Sequence, residues 1–371
     1  MNEKHLTYFK VENFKRFESF ELNNIGQFNL ILGDNNVGKT SVLEALLFDE
    51  ENIVENYITH LRTILFHKEL MTSTMGEAKM GVNRNDLMYF YKDFRVDREI
   101  KTTFIYKDKV KRELSIFIDF LANLIDNYEN QYPQIFNEKN SESQYNQPYI
   151  LAKINEDVKL IRSRQAMMGQ RFIMPFVPFG SPYNRSIAKL YKYFQTNMLI
   201  KKQLINAIKL FIPLIENLEI LLIDDRITTL GIIEQDTANM KPISTYGDGA
   251  NRLMQILLHI PACEGKRLMI DEVDAGIFHQ RFLSFWRNIL ETAKLYNVQI
   301  FATTHNFECI RYFKEVLQDE TLEGGAAYYR DLSRTITLRT LPNGTIKSYT
   351  RTYEEVEYSV DNELEIRGGV L

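Results

Sequence analysis

Cysteine is nearly missing: the 371 residues contain only Cys263 and Cys309, far apart and without metal-ligand spacing. That excludes a disulfide framework and a cysteine-bound zinc site, and it fits a reducing compartment. No uninterrupted apolar run reaches the ~18–20 residues of a membrane helix, so no membrane partner is expected. The opening residues Met1-Asn2-Glu3-Lys4-His5 lack the apolar core of a signal peptide, and the expected location is cytoplasmic. Excess charge of one sign is also absent, with 45 Lys+Arg against 49 Asp+Glu and a net charge of −4. A chain without a global basic field has no general drive to bind DNA, although a local patch stays possible. Internal repeats and sustained heptads are missing as well, which excludes solenoids and long coiled-coil arms. What is present is a globular composition, 44% hydrophobic and 25% charged. The length suits two domains, or one domain with a large insertion.

The stretch Gly33-Asp34-Asn35-Asn36-Val37-Gly38-Lys39-Thr40-Ser41 has the spacing of a phosphate-cradling P-loop. Before it, Phe28-Asn29-Leu30-Ile31-Leu32 reads as a buried strand. After it, Ser41-Val42-Leu43-Glu44-Ala45-Leu46-Leu47-Phe48 carries apolar residues at helical spacing. Strand, glycine turn and helix is the geometry phosphate binding requires. The glycines let successive N–H groups face phosphate oxygens, and the helix start adds partial positive charge. Gly33, Asn35, Asn36, Gly38, Lys39, Thr40 and Ser41 are the candidate nucleotide-binding residues. Lys39 is placed to reach the β- and γ-phosphates, and the Thr40 hydroxyl to ligate Mg²⁺.

Three later segments complement the loop. Arg267-Leu268-Met269-Ile270-Asp271-Glu272 describes a buried strand tipped by two acids. Asp271 is a candidate Mg²⁺ ligand, and Glu272 a candidate base for an attacking water. Alone, this pattern also fits a strand ending in a solvated acidic turn; the P-loop upstream favours the phosphoryl-transfer reading. Val298-Gln299-Ile300-Phe301-Ala302-Thr303-Thr304-His305-Asn306 is a further buried strand, and His305 either senses a γ-phosphate or caps the next helix. Ser244-Thr245-Tyr246-Gly247-Asp248-Gly249-Ala250-Asn251-Arg252 places two glycines at a helix start, which suits an anion site or a plain cap.

Elsewhere, Leu6–Glu12 and Phe17–Leu22 alternate as half-buried strands. Asn52–Leu70 reads as helix, Glu77–Asp93 has no clear period, and Arg98–Phe117 reads as a hairpin turning at Lys107-Asp108-Lys109. Asn127–Gln147 reads as a surface loop, Arg171–Val177 as a strand and Arg185–Ile215 as helix broken near Pro213. Leu218–Asp224 and Ile227–Ile233 form an expected β pair. Strands are expected at 326–330, 335–341 and 345–349, followed by a helix.

Taken together, the segments resemble the ABC-type ATPase head of structural-maintenance-of-chromosomes and RecF proteins. They look most like the AAA15/overcoming-lysogenization-defect-type ATPases. The residues that carry the likeness are Val11–Phe17, Asn35–Thr40, Asp271–His279, Thr303–His305, Tyr353–Tyr358 and Glu365–Arg367. The resemblance implies an α/β ABC-type P-loop head, with a mixed sheet flanked by helices and a large, mainly helical insertion. Residues 1–49 would be an N-terminal lobe, 50–240 the insertion and 241–371 a C-terminal lobe. It implies ATP hydrolysis with Mg²⁺ and a homodimer or higher oligomer that sandwiches the nucleotide. Ser244, Gly247, Asp248 and Gly249 of one copy would then meet the γ-phosphate held by the other, with Arg252 stabilising charge in trans. Tyr246 stands where the family has serine before the first glycine, so Ser244 and Tyr246 both stay candidates. A Toprim nuclease domain does not fit in the last ~50 residues, so an effector such as a Toprim-type nuclease would be a separate chain. Such stand-alone ATPases occur in bacterial anti-phage modules. The alternative is a RecF-like DNA-binding repair factor, with Lys107, Lys109, Lys111, Arg112, Lys201 and Lys202 as candidate contacts. A transporter ATPase ranks last, because its heads lack so long an insertion.

Overall fold

The computed structural model describes residues 3–48, 98–136, 148–155, 157–162, 175–179, 183–224, 227–235, 237 and 239–367. The expected elements at Asn52–Leu70 and Glu77–Asp93 lie outside these residues. The chain opens with an antiparallel pair, β1 (Leu6–Phe14) and β2 (Phe17–Leu22). The fully buried β3 (Phe28–Leu32) follows, then α1 (Lys39–Ala45) and a 3-10 turn at Leu46–Phe48. β4 (Ile100–Tyr106), β5 (Lys111–Phe120), β6 (Pro148–Ile154) and β7 (Asp157–Arg162) extend the first pair into an antiparallel sheet of order β2-β1-β4-β5-β6-β7.

The sheet that positions the site has the order β15-β14-β3-β13-β12-β8. Its members beyond β3 are β8 (Phe176–Val177), β12 (Arg267–Ile270), β13 (Gln299–Thr303), β14 (Ser333–Thr340) and β15 (Ile346–Arg351). All neighbours are parallel except β14 and β15. β3, β12 and β13 are buried throughout, as parallel strands covered on both faces must be. Alternate residues feed two cores. Ile31, Met269 and Phe301 pack toward the antiparallel sheet with Phe9, Phe14, Phe17 and Val42. Leu30, Leu268, Ile270, Ile300 and Ala302 face the helices on the other side.

Those helices include α6 (Asp248–Ala262), α7 (Phe282–Leu295) and α8 (Phe307–Val316). In α7, Phe282, Phe285, Trp286, Ile289, Leu290 and Ala293 repeat at helical spacing and are all buried. Each large side chain so buried contributes roughly 1.5–3 kcal/mol. The indole N–H of Trp286 donates to the Cys309 carbonyl (3.1 Å), so the ring's one polar atom stays bonded.

Several elements differ from the sequence expectation. The mainly helical insertion does not describe residues 98–162, where α2 (Leu121–Tyr128) and α3 (Pro133–Phe136) accompany four strands. α2 and α3 also occupy the start of the expected 127–147 loop, and 137–147 lies outside the described residues. Of the strand expected at Arg171–Val177, the described part is Phe176–Val177. The long helix at Arg185–Ile215 is two, α4 (Tyr183–Phe194) and α5 (Met198–Ile208). Asn197 sets the break: its side chain accepts from the N–H groups of Leu199 and Ile200, as an N-cap does. Ile215 instead starts β9 (Ile215–Asp224), which pairs with β10 (Ile227–Glu234) and through it with β11 (Lys241–Pro242). The strand expected at 326–330 is helix α9 (Ala326–Leu332), with Ala326 and Tyr329 buried at helical spacing and Tyr329 stacked on Phe28. β14, β15 and the closing α10 (Tyr353–Asp361) match the expected order, and a Thr352–Glu355 capping box starts α10.

Candidate functional site

Because β3, β13, β12 and β8 run parallel, their C-terminal ends share one edge of the sheet, where open α/β sheets bind ligands. Gly33, Thr304, Asp271 and Pro178 follow these ends. The P-loop turns there through backbone that suits glycine and asparagine: Asn36 has φ 63°, and Gly38, the residue before α1, has φ 109°. Lys39, Thr40 and Ser41 form the first turn of α1, while Asn35 and Asn36 are exposed.

The register of β12 against β13 sets Ile270 opposite Ala302 and so brings Asp271 beside Thr303. Thr40 Oγ1 lies 3.1 and 3.0 Å from the two carboxylate oxygens of Asp271. Thr303 Oγ1 donates to Asp271 Oδ1 (2.8 Å) and accepts from the Glu272 N–H (2.8 Å). Thr304 Oγ1 donates to Asp274 (2.6 Å). His305 Nδ1 donates to Glu272 Oε2 (2.8 Å). A cleft of about 380 Å³ is lined by Thr40, Asp271, Glu272, Asp274 and His305 together with Glu44. Phe176, Pro178, Phe179 and Ala275 form its apolar wall.

Lys39 is buried and donates to the carbonyls of Gly33 (2.8 Å) and Asp34 (3.1 Å). Burial lowers the pKa of its ammonium from the usual 10.5, while the charges of Glu272 and Asp271 act against that shift. The oxygen set of Thr40 and Asp271 fits a hard cation that keeps waters and phosphate oxygens in its shell. Among the described residues no group of three or more His, Cys, Asp or Glu is arranged to hold a metal alone.

The other sequence candidates lie elsewhere. Ser244 falls in a 3-10 turn at Ile243–Tyr246, and Gly247 and Asp248 are exposed at the start of α6. None of them lines the cleft. Asp248 and Gly249 sit instead against the loop that follows Glu272. A Cβ on Gly249 would come within 2.8 Å of the Gly276 carbonyl, and one on Gly276, at φ 74°, within 2.8 Å of Asp248 Cβ. Arg252 is corrected outright: it is fully buried and donates to the Pro178 carbonyl (3.0 Å), the Asp271 carbonyl and the Glu272 carbonyl (3.1 Å). A guanidinium so held within its own chain does not face a second copy. Residues that carried no assigned role in the sequence reading are Thr303, Thr304, Glu44 and the Phe176–Phe179 wall. Paired threonines ending a buried strand were the available signal.

Residues 5–170 match the AAA ATPase domain family. The match takes in the P-loop, and Asp271, Glu272 and His305 lie beyond it. The ATPase is 25% identical over 402 residues to a Helicobacter pylori protein named ATP/GTP phosphatase, which covers 97% of this chain and 99% of that protein. It is 28% identical over 99 residues to the DNA replication and repair protein RecF of Clostridium kluyveri, which covers 22% of this chain and 27% of RecF. Among solved structures it is similar to an SMC head bound to the C-winged helix domain of ScpA, with TM-score 0.48, 12% identity and coverage of 95% and 99% of the two chains. The Thermotoga maritima SMC head domain has TM-score 0.42, 13% identity and coverage of 94% and 99%.

Proposed function

We propose that this ATPase is a nucleotide-driven switch that binds ATP with Mg²⁺ at the P-loop cleft and hydrolyses it with Glu272 as base. The observation that carries the reading is the convergence of Thr40, Asp271, Glu272 and His305 on one cleft from three separate strand ends. Lys39 leaves the carbonyls of Gly33 and Asp34 for phosphate oxygens, which are better partners for an ammonium. Thr40 and Asp271 would hold a Mg²⁺, which would supply positive charge to offset that of the phosphates. Glu272 takes a proton from the attacking water, and His305 holds its carboxylate in place until then. The apolar wall of Phe176, Pro178 and Phe179 keeps other waters from that carboxylate.

The exposed Gly247–Asp248 turn, beside the loop after Glu272, is the surface through which a second copy closes the nucleotide site. A homodimer or higher oligomer is the working unit, and its opening and closing controls a separate effector. The anti-phage setting rests on the motif resemblance described above. The test is Glu272→Gln: it retains ATP, shifts the protein to the closed oligomer and slows hydrolysis by about a hundredfold or more. Turnover at the normal rate removes Glu272 as the base. Proteins captured on this variant in ATP identify the effector.

A second reading, a RecF-like DNA-binding factor, is favoured by the partial RecF match. Against it, two of the candidate lysines are already paired, Lys111 with Glu113 and Lys201 with Glu219. Duplex binding that weakens steeply with salt decides for it.

A further inference from the structure

Arg252 is among the largest fully buried side chains of the chain, and it lies one turn into α6. Burying a guanidinium costs several kcal/mol unless its donors are satisfied. Here its two terminal nitrogens donate to three backbone carbonyls, and two of these, Asp271 and Glu272, flank the acid that the proposed chemistry needs. The third, Pro178, belongs to the apolar wall of the cleft. Glu272 itself has φ 47°, a left-handed conformation that costs a non-glycine residue energy and persists only where neighbours enforce it. Its N–H is fixed by Thr303 Oγ1, and the carbonyls on either side of it are fixed by Arg252. The peptide that carries the carboxylate is therefore held from both faces, by a threonine of β13 and by an arginine of α6.

We infer that Arg252 is a positioning residue that acts through Glu272 of its own chain. It holds the left-handed turn that aims the carboxylate into the cleft and ties that turn to the first turn of α6. The inference rests on the reading of Glu272 as base and adds the device that sets it. The planar fork matters, since a lysine's three donors radiate from one nitrogen, whereas Arg252 reaches its three carbonyls from two.

The experiment is a double-mutant cycle of Arg252→Gln with Glu272→Gln, read by turnover, ATP affinity without Mg²⁺ and thermal midpoint. Arg252→Gln alone should lower kcat about fiftyfold and change ATP affinity less than about threefold. In the Glu272→Gln background it should cost turnover almost nothing more, while its effect on the midpoint stays the same. If Arg252→Gln does not fold, Arg252→Lys replaces it, with an expected loss of about tenfold in kcat. Equal, additive losses in the two backgrounds overturn the inference, as does a fall in affinity that matches the fall in turnover. Mixing Arg252→Gln protein with Glu272→Gln protein separates cis from trans. Action within one chain predicts no recovery, and recovery toward half of the normal rate overturns it. Normal turnover by Glu272→Gln alone defeats the assignment of the base instead, and is distinguished by that single variant.

Discussion

His305 Nδ1 lies 2.8 Å from Glu272 Oε2, and the two side chains reach each other from the ends of adjacent parallel strands. The contact orients a carboxylate that is otherwise free to rotate. Removing the imidazole with His305→Ala should lower turnover about tenfold or more while ATP affinity stays within a few-fold. Steady-state kinetics beside equilibrium binding checks this. A parallel loss of affinity would mean that His305 binds the ground state instead.

Lys39 is held at the loop by two carbonyls and is buried among acids. Lys39→Ala should weaken ATP binding by about a hundredfold or more, roughly 2.7 kcal/mol, without unfolding the protein. Calorimetry measures it, and an unchanged midpoint shows that the fold survives. Micromolar affinity in this variant would count against the P-loop.

Thr303 serves two groups with one hydroxyl, donating to Asp271 and accepting from the Glu272 N–H. Thr303→Val keeps the shape and removes both bonds, at about 1–3 kcal/mol for the groups left unpaired. The Mg²⁺ concentration for half-maximal turnover should rise about tenfold, and a titration of Mg²⁺ at saturating ATP reads it. No change would show that Asp271 needs no support from β13.

Lys15, in the turn between β1 and β2, pairs with Glu44 of α1, and their side chains are 7% and 1% exposed. Lys15→Met leaves the carboxylate buried without its charge partner and should cost about 3–5 kcal/mol. Lys15→Met with Glu44→Leu should recover most of that loss, since a buried pair often breaks even against apolar replacements. Denaturation of the single and double variants compares them. A double variant no better than the single one would rule this account out.

Burial lowers the pKa of His5 and of His259 to about 4 from the usual 6.5. The unfolded chain takes up these protons near 6.5, and the folded chain resists them until near 4. Stability is therefore complete above that window, falls as the pH drops through it and levels off below. Each histidine accounts for about 3 kcal/mol of the fall. His259→Gln should flatten the dependence of the thermal midpoint on pH by about half. An equally steep profile would place the acid sensitivity elsewhere.

The central sheet was legible because its strands are short apolar runs that end in distinctive turn chemistry. Phe28–Leu32 runs into glycines, Arg267–Ile270 into two acids, and Gln299–Thr303 into threonine and histidine. Sequence pattern says where such a strand stops, and a parallel sheet brings all the stops to one edge. It does not say what a charged residue inside an apolar helix face is for. Arg252 looks like a group meant for a ligand until its carbonyl partners are seen, and those partners lie in segments remote in sequence. Ala326-Ala327-Tyr328-Tyr329-Arg330 is too short for its period to decide between strand and helix, and packing of Tyr329 on Phe28 decides it. The pairing of β1 with β4 across the intervening residues is a long-range choice that local alternation does not encode.

The strand that leads into the P-loop has β13 on one side and β14 on the other, and both neighbours come from the last quarter of the sequence. During synthesis, β3 therefore leaves the ribosome long before either neighbour exists, with unpaired amides on both edges. A fragment released before residue 333 would keep one of those edges open and would be prone to self-association. Prematurely terminated copies should accumulate as aggregates instead of competing for nucleotide with finished ones.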